Sequence, residues 1–133
     1  MKYFLDTNII IYAIKGKYPQ IIQHFVKVSY HSIVIPSIVI AEIEYGTKKS
    51  TNYKKMIDKY NEFINVFEEV NFDNKAAKIY GEIRYELEKK GNVIGPNDLI
   101  IASTVIANDG VLVTHNTKEF GRIKNLRIED WTE

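Results

Sequence analysis

Four acidic side chains carry the chemistry open to this chain of 133 residues. Asp6 follows the apolar run Tyr3-Phe4-Leu5. Glu42 lies inside SIVIAEI (Ser37 to Ile43), Asp98 opens DLIIAS (Asp98 to Ser103), and Glu119 follows Asn116 in HNTKEF (His115 to Phe120). Carboxylates brought together repel and raise each other's pKa unless a cation intervenes. An oxygen-only donor set suits a hard divalent ion, Mg²⁺ or Mn²⁺. Such a site can activate water and stabilise charge on a phosphate during in-line displacement, which is nuclease chemistry. Each acid also has a plain structural reading. Asp6 can cap a helix starting near Ile9, Asp98 can serve a helix dipole, and Glu119 can be an ordinary surface residue. Glu42 is harder to dismiss, because apolar residues flank it on both sides and an unpaired buried carboxylate is costly.

These acids are far apart in sequence, so only tertiary structure can bring them together. The elements that would do so read as short apolar strands alternating with helices. Strands are expected at Lys2 to Leu5, Ser32 to Ile35, Val66 to Val70, Val111 to Thr114 and Leu126 to Ile128. Helices are expected at Ile9 to Ile14, Gln20 to Val28, Ile38 to Tyr45 (capped by Ser37 and stopped by Gly46), Asn52 to Ile64, Asp73 to Lys90 and Asp98 to Ala107. The last is apolar nearly all round and hence deeply buried. This alternation predicts an α/β fold, a central parallel sheet of four to five short strands flanked by helices. Ligands of such sheets bind at the carboxyl ends of the strands, where Asp6 and the Asn116/Glu119 pair fall.

Length and composition predict one domain over residues 1–133, with no repeat or linker. The absence of cysteine excludes disulfides, zinc-thiolate sites and thiol catalysis, and suits a reducing cytoplasm. No signal peptide is visible, since Asp6 interrupts the first apolar run. The longest apolar run, Ser32 to Ile43, is too short to span a bilayer and contains Pro36, so no membrane association is expected. The net charge of +1 hides a split. Residues 1–60 carry nine Lys/Arg against four Asp/Glu, and residues 61–133 carry nine against thirteen. A basic surface beside an acidic site would follow, or simply scattered solvated charge.

Four stretches together, FLDTNIIIYAIKG (Phe4 to Gly16), PSIVIAEIEYG (Pro36 to Gly46), IGPNDLIIAS (Ile94 to Ser103) and LVTHNTKEFGRIKNLRIEDW (Leu112 to Trp131), resemble the PIN-domain ribonucleases, and specifically the VapC-type toxins of bacterial toxin–antitoxin pairs. They run from one end of the chain to the other. The resemblance implies a Mg²⁺- or Mn²⁺-dependent endoribonuclease in which Asp6, Glu42 and Asp98 match the acidic triad. Glu119 is the best match for the fourth acid, where many relatives have aspartate. Asn116 stands where some other PIN proteins are acidic. The last two stretches look most like the subgroup that cuts initiator tRNA in the anticodon stem–loop. The resemblance further implies a cognate VapB-like antitoxin that places a basic side chain in the site, and a toxin homodimer. Ile10, Ile14, Ile21 and Ile22 are candidates to line the antitoxin groove.

Around the acids, Thr7 and Asn8 can orient carboxylates or merely begin a helix, and Thr114 can hydrogen-bond near a metal or be an ordinary strand residue. Arg84 can contact phosphate or pair with an acid. Lys48, Lys49, Lys54, Lys55 and Lys59 can track an RNA backbone or form a solvated face. The three histidines show no ligand spacing. One rival function is a phosphohydrolase of the haloacid-dehalogenase type. It needs a second aspartate two residues after the first, and this chain has Asn8 there. The other is a PIN-fold RNA-binding or RNA-processing protein outside any toxin–antitoxin pair. The intact acids count against a non-catalytic module.

Overall fold

Tyr3–Leu5 (β1), Ile33–Pro36 (β2) and Val111–Val113 (β4) are short runs of branched and aromatic residues with almost no polar side chain. Such strands suit the middle of a sheet covered on both faces. The computed structural model, which describes all 133 residues, places them there. With β3 (Glu68–Val70) and β5 (Arg127–Glu129) they make five strands, all parallel, in the order β3-β2-β1-β4-β5. The edge strands β3 and β5 carry charged, exposed residues, which discourages further strand pairing.

Seven helices connect the strands: α1 (Thr7–Lys15), α2 (Pro19–Lys27), α3 (Ser37–Lys48), α4 (Tyr53–Ile64), α5 (Asn74–Lys89), α6 (Pro96–Ala107) and the single turn α7 (Thr117–Phe120). The chain lays down β1, β2 and β3 in one direction, then returns to add β4 and β5 on the other side of β1. The crevice between β1 and β4 is therefore the topological switch point of the sheet.

Local chemistry sets most boundaries. Asp6 caps α1, and Gly16 ends it in the left-handed conformation at φ 67°. Asp73 caps α5 through the Ala76 amide. Pro96 starts α6 at its first helical position, with Gly95 as the cap. Two expectations are corrected here. Asp98 stands inside the first turn of α6 and does not open it. Gly46 does not stop α3, which continues to Lys48 because Thr47 is buried and its hydroxyl donates to the carbonyls of Ile43 and Glu44. A 3₁₀ turn at Tyr30–Ser32 and the short α7 have too little periodicity to announce themselves in sequence.

Beneath these helices the core gathers Phe4, Leu5, Val34, Ile35 and Leu112 from the strands with Ile9, Ile10, Ile21 and the fully buried Ile101 to Val105 segment of α6. Ile10 and Ile21 are completely buried, so they cannot line a partner groove; Ile14 is half-buried and Ile22 exposed. Trp131 pins the C-terminal tail, packing its ring against Tyr3, His24 and Phe25. No helix is long and apolar enough to cross a membrane.

Candidate active site

The strand register explains how residues at opposite ends of the chain meet. Leu5 of β1 pairs with Val113 of β4, and the Asp6 amide donates to the Val113 carbonyl at 3.0 Å. The next residue along each strand is therefore Asp6 beside Thr114. The Thr114 hydroxyl donates to Asp6 Oδ2 at 2.7 Å, and the Thr7 amide donates to Asp6 Oδ1 at 2.8 Å. The Thr114 oxygen in turn accepts the Asn116 amide at 3.0 Å, which fixes the hydroxyl's direction. Asp6 is thus a nearly buried carboxylate held at both oxygens, in addition to capping α1.

Glu42 reaches the same crevice from α3. Thr7 Oγ1 donates to its Oε1 at 2.6 Å, and Asn97 Nδ2 approaches its Oε2 at 3.5 Å from the first turn of α6. One residue later, Asp98 enters from α6, which packs on α3, α5 and β4. Glu119 arrives from α7, where Asn116 Nδ2 donates to its Oε2 at 3.1 Å. Each carboxylate therefore comes from a different helix or helix cap, and three of the four are held by a neighbouring hydroxyl or amide.

Electrostatics show that the four form one cluster. Burial raises the Asp98 carboxyl to about 7, and the charges of Asp6, Glu119 and Glu42, with a hydrogen bond to Glu119, push the same way. Burial also raises the Asp6 carboxyl. Hydrogen bonds from Thr114 and the Thr7 amide oppose that rise, while the Glu42 charge adds to it. None of the four acids pairs with a lysine or arginine in an ion pair. A cleft of several carboxylates without an internal counter-charge is chemically suited to a hard cation. No three of the acids close around one point as a finished cage would. An open ring of this kind fits Mg²⁺, which retains several waters and takes one or two carboxylates together with substrate phosphate.

The structure brings together Asp6, Glu42, Asp98 and Glu119, with Thr7, Thr114 and Asn116 hydrogen-bonded to them. Asn8 is exposed and makes no hydrogen bond to the cluster. Arg84 lies away from it, pairing with Glu88 at 2.9 Å and donating to Tyr80 at 3.0 Å. Asn97, which approaches Glu42, carries no mark of an orienting residue in the sequence beyond its place beside Asp98, one step round the helix toward α3. His115 is exposed, joined to Asp130 and Thr132, with its ring against Tyr12 and Tyr18.

Comparisons with known proteins show the family. The PIN domain family model matches residues 3–126. The chain is 45% identical to ribonuclease VapC2 of Rickettsia felis, over 98% of each chain. It is 38% identical to the tRNA(fMet)-specific endonuclease VapC of Salmonella typhimurium, again over 98% of each. Its fold superposes on the solved structure of VapBC2 from Rickettsia felis bound to a promoter DNA fragment, with a TM-score of 0.93, 43% identity and coverage of 98% and 99%. A family model spanning nearly the whole fold, full-length relatives well above 30% identity and an acidic cluster at the switch point agree: the chain belongs to the PIN-domain family, among the VapC ribonucleases.

Proposed function

We infer that the protein is a Mg²⁺- or Mn²⁺-dependent endoribonuclease, the toxin of a toxin–antitoxin pair, and that it cuts initiator tRNA in the anticodon stem–loop. The observation that carries the metal-dependent reading is the cluster of four carboxylates at the switch point, mutually repelling and without a basic partner. Asp6, Glu42, Asp98 and Glu119 would hold the ion, directly or through water. Once bound, it supplies positive charge to the scissile phosphate and lowers the pKa of the attacking water.

The chain's own residues prepare that chemistry. Thr114 and the Thr7 amide fix Asp6, the Thr7 hydroxyl fixes Glu42, and Asn116 fixes Glu119. Asp98, whose carboxyl is raised to about 7, would hold a proton below neutrality that a bound cation would displace. The products are a 5′-phosphate and a 3′-hydroxyl. The choice of tRNA is supported by the name of the Salmonella relative. The antitoxin is supported by the VapBC complex that the fold resembles. Ile22 and Val26, one turn apart on α2 and 47% and 80% exposed, offer apolar surface for such a partner.

Antitoxin-free protein is incubated with a total tRNA pool and Mg²⁺ or Mn²⁺, and the cut ends are mapped. One metal-dependent cut in initiator tRNA is expected, absent with EDTA and in Asp98→Asn. Cuts elsewhere would discard the substrate and keep the nuclease. No cleavage with either metal would sink the nuclease reading.

A further inference from the structure

One groove along α3 takes in Glu42 of the carboxylate cluster. Thr7, Glu42 and Asn97 form its inner end, and Tyr45, Gly46 and Lys49 carry it outward along α3. Glu42, Tyr45, Gly46 and Lys49 follow one another at intervals of three, one and three residues, so they share one face of the helix. From Glu42 to Lys49 that face extends about 10 Å along the axis.

Three features of this face have no role in the fold. Tyr45 is a large aromatic residue left 66% exposed. The Lys49 ammonium sits 4.6 Å from the centre of its ring and is joined to no carboxylate in an ion pair. Gly46 is helical with no positive φ, and a Cβ built on it meets nothing within 4 Å, so neither backbone nor packing demands glycine there. Gly46 and Glu42 also line a second depression on α3, shared with Lys15. The missing side chain keeps the surface low where the two depressions meet.

An exposed aromatic ring and an ammonium with no carboxylate partner, on a groove shared with an acidic residue, match the chemistry of single-stranded RNA. Bases stack on aromatic rings, and lysine neutralises phosphate. We propose that the Tyr45–Gly46–Lys49 face of α3 is a nucleotide subsite, where an unpaired base next to the scissile phosphate stacks on Tyr45 and its phosphate meets Lys49. Gly46 leaves room for the strand. This rests on the ribonuclease reading above and adds to it the residues that grip the substrate outside the acids.

The test separates binding from cutting. Binding of an initiator-tRNA transcript is measured in Ca²⁺, and its cleavage in Mg²⁺, for wild type, Tyr45→Phe, Tyr45→Ala, Lys49→Gln and Gly46→Leu. Mn²⁺ binding measured by calorimetry, which reports on the carboxylates and not on Tyr45, is the control. Tyr45→Ala and Gly46→Leu are expected to weaken tRNA binding about tenfold, with the loss appearing in KM. Tyr45→Phe should bind like wild type. Lys49→Gln should reduce the slope of log affinity against log salt by roughly 0.7. All variants should bind Mn²⁺ with the wild-type affinity. Unchanged tRNA binding in Tyr45→Ala would overturn the subsite, and so would a loss of Mn²⁺ binding in that variant. Loss of antitoxin binding with RNA binding intact would assign the face to a protein partner instead. If wild type binds tRNA in a Tyr45-dependent way but never cuts it, the ribonuclease reading fails and the subsite stands.

Discussion

At the residue scale, the cleft works through pairs in which one side chain holds another. Thr7 illustrates this, since its amide holds Asp6 and its hydroxyl holds Glu42. Thr7→Val keeps the shape and the amide but removes the hydroxyl. Cleavage should fall by about ten- to a hundredfold, with little change in melting temperature, as for other residues that orient metal-binding groups. Asp98 supplies a pH signature. Its folded pKa of about 7 lies above the ordinary 3.8, so the folded protein retains a proton that the unfolded chain has released between those values. Asp98's contribution to stability therefore falls as pH rises through that window. Thermal melts of metal-free protein should show a lower Tm at about pH 8 than at about pH 5, and Asp98→Asn should flatten the difference. The same proton must leave when a cation binds, so calorimetry in buffers of different ionisation enthalpy should detect its release below neutrality.

At the element scale, the tight connection from α6 into β4 depends on a glycine. A Cβ on Gly110 would lie 2.5 Å from the Phe4 ring and 3.0 Å from the Lys2 carbonyl, so the turn must pass close against β1. Gly110→Ala should destabilise the protein by about 1–3 kcal/mol, measured by urea unfolding, because the ring cannot move without disturbing the core. Gly46 makes the opposite case. Its Cβ position is open and its backbone helical, so Gly46→Ala should leave stability unchanged or raise it by up to about 1 kcal/mol. The two glycines look alike in sequence and differ only in what surrounds them.

At the scale of the whole molecule, parallel pairing and the return of the chain to β4 collect distant residues at one edge. The tail is part of this assembly. Trp131 is buried against Tyr3, His24 and Phe25, close to where the chain begins. Trp131→Ala should cost about 3–5 kcal/mol in denaturant unfolding. The basic first half of the chain is partly accounted for locally. Lys48 lies over the Tyr53 ring and Lys54 pairs with Asp58 one turn on, both at exposed positions where such contacts contribute little. Lys15, Lys27, Lys55 and Lys59 make no ion pair or ring contact and stay available to a polyanion, and raising salt from about 50 to about 200 mM should weaken RNA binding roughly tenfold if two or three phosphates are met.

The alternation of strands and helices, the buried character of α6 and the positions of the four acids are legible in the sequence, because apolar periodicity and the burial cost of a carboxylate are local properties. The motifs around those acids also carried the family. Helix ends were less legible where a buried side chain overrode a local signal, as Thr47 carries α3 past Gly46. That Asp6 and Thr114 are neighbours, that Thr7 bridges two acids and that Ile10 and Ile21 belong to the core rather than to a groove is visible in the folded chain alone. Those facts follow from strand register and from which helix faces pack inward. Pairing Leu5 with Val113 joins residues 108 positions apart, and no short window of sequence can express it.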